Sequence, residues 1–220
     1  VNLLRILAVA LLFCLSAPAG AQQAGQPGRF DFYVLALSWS PSFCEASGER
    51  KQGRADQQCR SGRPFAFVVH GLWPQYEHGF PTECVKPAPW LPDALIRSML
   101  DLMPAHGLVI HEWRTHGTCS GLEPQHYFDV VRGARERLVI PQRFHRLDDY
   151  TMVSPAEVED AFIAANPGLR SDMIAVTCDQ RRLHEVRVCM TRDFEFRSCP
   201  EIDRRACRVP RIVMPPVRGG

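Results

Sequence analysis

Lysine is nearly missing from this 220-residue chain: Lys51 and Lys86 are the two present, and the other 24 of the 26 basic residues are arginine. Arginine forks suit phosphates, but so lopsided a balance reads as composition before it reads as a binding signal. A surplus of one charge is lacking too. With a formal net charge of +2, long-range electrostatics alone do not point to a polyanionic partner. No apolar run is long enough to cross a bilayer, since residues 6–15 form a stretch of about ten where roughly 20 are needed. No stable membrane association is therefore expected. Cys-x-x-Cys pairs are absent, which disfavours a cysteine-bound zinc site. Internal repeats and low-complexity tracts are absent as well, which excludes solenoids and compositional linkers.

What is present begins with an export signal. Arg5 precedes the apolar run of residues 6–15, and Ala19-Gly20-Ala21 fits a small-residue cleavage site. Residues 1–21 are expected to be a cleaved signal peptide and 22–220 a single mature domain, periplasmic or secreted. The cleavage would remove Cys14 and leave eight cysteines, at positions 44, 59, 84, 119, 178, 189, 199 and 207. An even count in an exported chain reads as four disulfides, among 105 possible pairings. At 45% apolar, the chain can bury one sizeable core.

Residues 30–39 are aromatic and apolar and read as a strand; residues 65–70 read as a second strand, broken by Gly71. Residues 45–63 read as a polar loop between Cys44 and Cys59, and residues 77–92 as a proline-rich loop around Cys84. Apolar spacing predicts helices over 95–103, 108–118 and 126–138. Ser154-Pro155-Ala156-Glu157 has the form of a capping box with proline in the first turn, opening a helix that ends near Asn166. Residues 173–178 and 183–190 read as two antiparallel strands, and the basic tail from Arg204 as irregular surface. Strands segregated from helices predict an α+β domain with an antiparallel central sheet flanked by helices.

Two segments carry chemistry. The first is Phe67-Val68-Val69-His70-Gly71-Leu72-Trp73-Pro74-Gln75: a histidine at a strand end, then glycine, with Trp73 available to stack on a base. The second is His111-Glu112-Trp113-Arg114-Thr115-His116-Gly117-Thr118-Cys119. On a helix Glu112 and His116 share a face, and His111 lies at its edge. Two histidines and a carboxylate are tools for proton transfer near neutral pH. Zinc proteases place their histidines four apart on a helix; here they are five apart, about 140° around it, and cannot readily chelate one ion. No metal or other cofactor is expected.

Together, and in this order, these segments resemble the two active-site signatures of the ribonuclease T2 family. The likeness extends over nearly the whole of residues 22–220, including Phe32 to Cys44, the helix after Ser154 and the closing strands. The resemblance implies an endoribonuclease acting on RNA and sparing DNA. His116 would act as general base on the ribose 2′-hydroxyl, and His70 as general acid on the departing 5′-oxygen. Glu112 and His111 would polarise the phosphate, with Trp73 and Arg114 contacting substrate. Products would be a 2′,3′-cyclic phosphate and then a 3′-phosphate, formed by a monomer without metal. The pairings it implies are Cys44–Cys59, Cys84–Cys119, Cys178–Cys207 and Cys189–Cys199. Thr115 departs from the pattern, where the family has lysine, and Gln75 stands where several members have aspartate. Thr115 keeps open an RNA-binding relative with weak catalysis. A metal-dependent hydrolase using His70, His111 and His116 is the other alternative.

Overall fold

In the computed structural model, residues 25–49 and 56–218 are described; the expected leader lies outside them. In chain order the elements are β1 (Phe32–Trp39), α1 (Ser40–Glu49), α2 (Asp56–Cys59), β2 (Phe67–Gln75), α3 (Asp93–Ser98), α4 (His106–Thr115), α5 (Pro124–Arg137), β3 (Thr151–Val153), α6 (Pro155–Ala165), β4 (Ile174–Cys178), β5 (Leu183–Met190), α7 (Pro200–Arg204) and β6 (Ile212–Met214). Four strands form an antiparallel sheet in the order β2-β1-β5-β4. The expected α+β architecture is present, as are the four disulfides in the pairing the resemblance implied.

The sheet has two unlike faces. Leu35, Leu37, Val69, Leu72, Val186 and Val188 enter the main core, where Trp113, Tyr127, Phe128 and Phe162 of the helices cover them. Burying side chains of this size stabilises by about 1.5–3 kcal/mol each. The opposite face carries a smaller cluster of Phe32, Val34, Ala175, Cys189, Cys199 and Ile202, with Trp73 packed against it. That arrangement leaves the rest of this face free to build a site. α6 opens on the expected capping box: Ser154 Oγ accepts from the Glu157 amide at 3.1 Å, and Glu157 Oε2 accepts from the Ser154 amide at 2.5 Å.

Several boundaries differ from the sequence reading. β2 does not stop at Gly71 but runs on to Gln75. The register with β1 passes from Leu37 opposite Val69 to Ala36 opposite Gly71, so His70 is an extra residue in a β-bulge. The bulge absorbs the shift in alternation: Val69 and Leu72 both reach the core although three positions apart. The 95–103 helix is confined to α3, because the turn that follows supplies the Leu102 carbonyl to the Val69 amide at 2.9 Å. The 108–118 helix ends at Thr115 and continues as a 3-10 turn, Gly117–Ser120. Gly117 sits so close to Trp113 that a Cβ there would come within 2.5 Å of its ring. The expected 45–63 loop includes the second half of α1 and all of α2, which are tied by Cys44–Cys59 and by Gln58 Nε2 donating to Ser40 Oγ at 2.8 Å. The tail is not all irregular surface. It contains β6, which pairs with β3, and its Ile212 and Met214 are fully buried.

Candidate active site

Three elements converge on the polar side of the sheet. The bulge in β2 places His70 beside Trp73, with ring centroids 5.2 Å apart. α4 packs across β2 and turns Glu112 inward, where it is 1% exposed. His116 follows at the end of α4, its amide donating to the Glu112 carbonyl at 2.9 Å. β5 contributes Glu185 and Arg187, two residues apart and so on one face of the strand. The end of α4 is pinned from outside: the Glu83 amide donates to the Thr115 carbonyl at 2.8 Å, and Cys84 is bonded to Cys119.

Trp73 stands at the centre. Its ring lies 5.3 Å from that of His116, tilted by 35°, while the Arg187 guanidinium stands 5.1 Å from its centroid. Its indole N–H donates to Glu112 Oε2 at 2.7 Å. The surface expected to receive a base is therefore already in contact with both imidazoles and a cation. The close approach of Glu112 requires glycine at position 71, since a Cβ there would fall 2.0 Å from Glu112 Oε2 and 2.4 Å from Trp73 Nε1.

The charges are set by burial and partners. Glu112 Oε1 lies 3.5 Å from His70 Nε2. Burial pushes the Glu112 carboxyl up to about 7, against the opposing pull of His70 and the Trp73 N–H. His70 is partly buried, which disfavours its cation, but the Nδ1 hydrogen bond to Glu185 and the charges of Glu185 and Glu112 outweigh this and raise its pKa. Glu185 is buried as well, yet His70 and Arg187 hold it down at about 2. Burial, with the nearby charges of His70 and His111, pushes His116 down to about 3. His116 Nδ1 has no hydrogen-bond partner among the described residues, so its ring is oriented by packing on Trp73 and Phe80.

One cleft, of about 1080 Å³, brings together His70, His111, Arg114, Glu185 and Arg187, with Phe43 and Leu108 as apolar lining. His111 and Arg114 are exposed. Thr115 Oγ1 lies 3.5 Å from His111 Nδ1, at the limit of a hydrogen bond. The structure thus gathers His70, Trp73, Glu112 and His116 at one point and sets His111 and Arg114 along the adjoining cleft. Among the described residues, no group of three or more His, Cys, Asp or Glu side chains is disposed to hold a metal ion. Sequence reasoning missed Glu185 and Arg187. The available signal was a pair of opposite charges at i and i+2 inside an otherwise apolar strand, which puts both on one face.

The sequence profile of the ribonuclease T2 family matches residues 30–199. A ribonuclease of Aeromonas hydrophila is 38% identical over 138 residues, covering 61% of this chain and 60% of that protein. A probable ribonuclease of Haemophilus influenzae is 39% identical over 122 residues, covering 51% and 45%. Ribonuclease I of Escherichia coli K12 is 33% identical over 163 residues, covering 57% and 60%. The chain thus spans about half to three fifths of the length of these curated relatives. Among solved structures, an RNase-related protein from Calystegia sepium superposes with a TM-score of 0.67 at 20% identity, covering 86% of this chain and 99% of the other. RNase NT in complex with 5′-AMP gives 0.66 at 22% identity, with the same coverage. At these identities the structural likeness establishes the fold.

Proposed function

Because the chain belongs to the ribonuclease T2 family, we propose that it is an exported endoribonuclease that cleaves RNA by acid–base catalysis without a metal. One observation carries this reading. Two imidazoles flank a single indole at 5.2 and 5.3 Å, and their proton affinities are displaced in opposite directions. Such a pair offers one neutral and one protonated imidazole at the same pH, the combination that general acid–base catalysis needs.

In the first step the neutral His116 takes the proton of a ribose 2′-hydroxyl, whose oxygen attacks the adjacent phosphorus. As the P–O5′ bond breaks, the protonated His70 gives its Nε2 proton to the departing 5′-oxygen. The product is a 2′,3′-cyclic phosphate, which water opens to a 3′-phosphate with the two histidines exchanging roles. Glu112, raised to about 7 and so partly protonated at neutral pH, polarises a phosphoryl oxygen from that protonated fraction as charge gathers there. His111 and Arg114 along the cleft bind the phosphate chain. Trp73 spaces the two histidines and orients Glu112.

Residues 22–220 form the mature enzyme in this reading, delivered as a monomer to the periplasm or medium after loss of residues 1–21. The four disulfides support export, because such bonds persist in oxidising compartments. Among the described residues no helix is long and apolar enough to cross a membrane.

The test is incubation with a dinucleoside monophosphate in excess EDTA, with the products separated over time. A cyclic phosphate appearing first and a 3′-phosphate later is expected, while single-stranded DNA survives for lack of the 2′-hydroxyl nucleophile. Activity that EDTA abolishes and zinc restores, or an RNA that binds and stays intact, would overturn the reading.

A further inference from the structure

The polar face of the sheet holds a carboxylate and a guanidinium that the two-histidine scheme does not use. Glu185 is 8% exposed. Its two oxygens are divided: Oε1 accepts from His70 Nδ1, and Oε2 accepts from Arg187 Nε at 2.9 Å and Nη2 at 2.8 Å. Burying a carboxylate and part of a guanidinium is costly before their mutual attraction is counted. The strand does not need them to complete its packing, since Val186 and Val188 already fill the core side of β5. Both side chains reach the cleft rather than a closed interior.

We infer that Glu185 and Arg187 form a clamp on His70, in which Glu185 is a positioning residue for the proton-donating ring and Arg187 fixes Glu185. This rests on the reading of His70 as the proton donor. The bulge lifts His70 out of the β1 ladder, so strand pairing does not determine where its ring points. The Nδ1–H bond to Glu185 does. It leaves Nε2 on the side of Glu112, 3.5 Å from Oε1, and a ring tethered at Nδ1 can give up a proton only from Nε2. Arg187, by occupying Oε2 twice, leaves Oε1 for the histidine and keeps the carboxylate ionised.

The groups facing His70 come from three elements: Trp73 on β2, Glu112 and His116 from α4 and its end, and Glu185 with Arg187 on β5. Of these, Glu185 is the carboxylate that bonds the ring directly and stays ionised through the neutral range. Its negative charge favours the imidazolium, so the fraction of His70 able to donate persists to higher pH than for a free histidine.

The experiment compares the wild type with Glu185→Gln and Glu185→Asp, reading kcat and KM on a dinucleoside monophosphate across pH and the His70 imidazole titration by NMR in the free protein. Glu185→Gln keeps an acceptor and loses the charge. The alkaline limb of its kcat profile should move down by about 1 unit or more. Its kcat at pH 8 should fall about tenfold or more, with a smaller loss at pH 5 and little change in KM. The His70 titration midpoint should drop in parallel. Glu185→Asp keeps the charge and shortens the reach, so its alkaline limb should stay near that of the wild type while kcat falls at every pH.

An unmoved His70 midpoint in Glu185→Gln, or an equal loss at every pH, would overturn the clamp and leave Glu185 a structural residue. If Glu185→Gln fails to fold, Glu185→Asp decides: an alkaline limb displaced as far as that of an unpaired histidine overturns the proposal. If the wild type does not cleave the dinucleotide, the functional reading fails separately, and the NMR titration still decides whether Glu185 holds the ring.

Discussion

Trp73 and Glu112 are joined by a 2.7 Å hydrogen bond from the indole N–H to Oε2, and the remaining carboxylate oxygen faces His70 Nε2 at 3.5 Å. The bond spans 39 residues of sequence and links the strand that carries one histidine to the helix that carries the other. It also holds a carboxyl group in a place where water is excluded, and this has consequences for stability as well as activity.

Burial raises the Glu112 pKa from its ordinary 4.5 to about 7. Between those values the unfolded chain has released a proton that the folded protein retains, so stability falls as pH rises through this window. Glu112→Gln has no proton to lose. Its stability relative to wild type should therefore improve from pH 4.5 to pH 8, by about 1–3 kcal/mol, while Glu112→Ala, which removes the phosphoryl donor outright, should drop kcat about 10²-fold. Urea melts at both pH values check the first, and a wild type that loses no more stability than the variant on going to pH 8 would refute it.

Activity should follow a bell-shaped pH profile. The alkaline limb reports loss of the His70 proton, held to higher pH than usual, with ionisation of Glu112, raised to about 7, contributing to it; the acid limb reports protonation of His116, whose burial keeps it neutral down to about 3 in the free protein. A bound phosphate anion should shift the acid limb upward. His70→Ala and His116→Ala should each lower kcat by about 10²-fold or more and remove one limb apiece. Near-full activity in either variant would remove that residue from the scheme.

Gly71→Ala should be disproportionately harmful for the addition of one methyl group. The Cβ would lie 2.0 Å from Glu112 Oε2 and 2.4 Å from Trp73 Nε1, so the hydrogen bond between them must open. A stability loss of about 1–3 kcal/mol is expected from the overpacking, together with a fall in kcat that exceeds any rise in KM. Thermal melts and steady-state kinetics on one preparation separate the two effects, and a variant with wild-type values of both would contradict the geometry.

Thr115 offers a neutral hydroxyl, 3.5 Å from His111 Nδ1, beside the cleft. A cation there would face charge that develops on the phosphate only in the transition state. Thr115→Lys should raise kcat, by about tenfold if it adds about 1.4 kcal/mol of stabilisation. Arg114 lines the same cleft, so Arg114→Ala should raise KM by weakening phosphate binding. A large kcat loss in Arg114→Ala with no gain in Thr115→Lys would mean that Arg114 already supplies the transition-state cation.

Much of this protein is determined locally and is legible in the residue order. The capping box at Ser154 and Glu157 needs four consecutive residues, and the strands Ile174–Cys178 and Leu183–Met190 need an apolar pattern. His111, Glu112 and His116 share a helix segment, so their proximity follows from helical geometry. What the tertiary structure alone decided is how the segments meet. A bulge is invisible to alternation, because the extra residue has no partner across the strand; for that reason the strand carrying His70 was expected to end at Gly71 instead of running to Gln75. Ile212 and Met214 read as surface in the sequence because so short a strand has no period to detect, and its burial depends on pairing with Thr151–Val153. Glu185 and Arg187 escaped for a related reason. Their roles arise from contact with His70, 115 residues away from Glu185 along the chain, and a carboxylate looks the same in sequence whether it faces solvent or a buried imidazole. Burial and partners shift proton affinities, and both are properties of the folded chain.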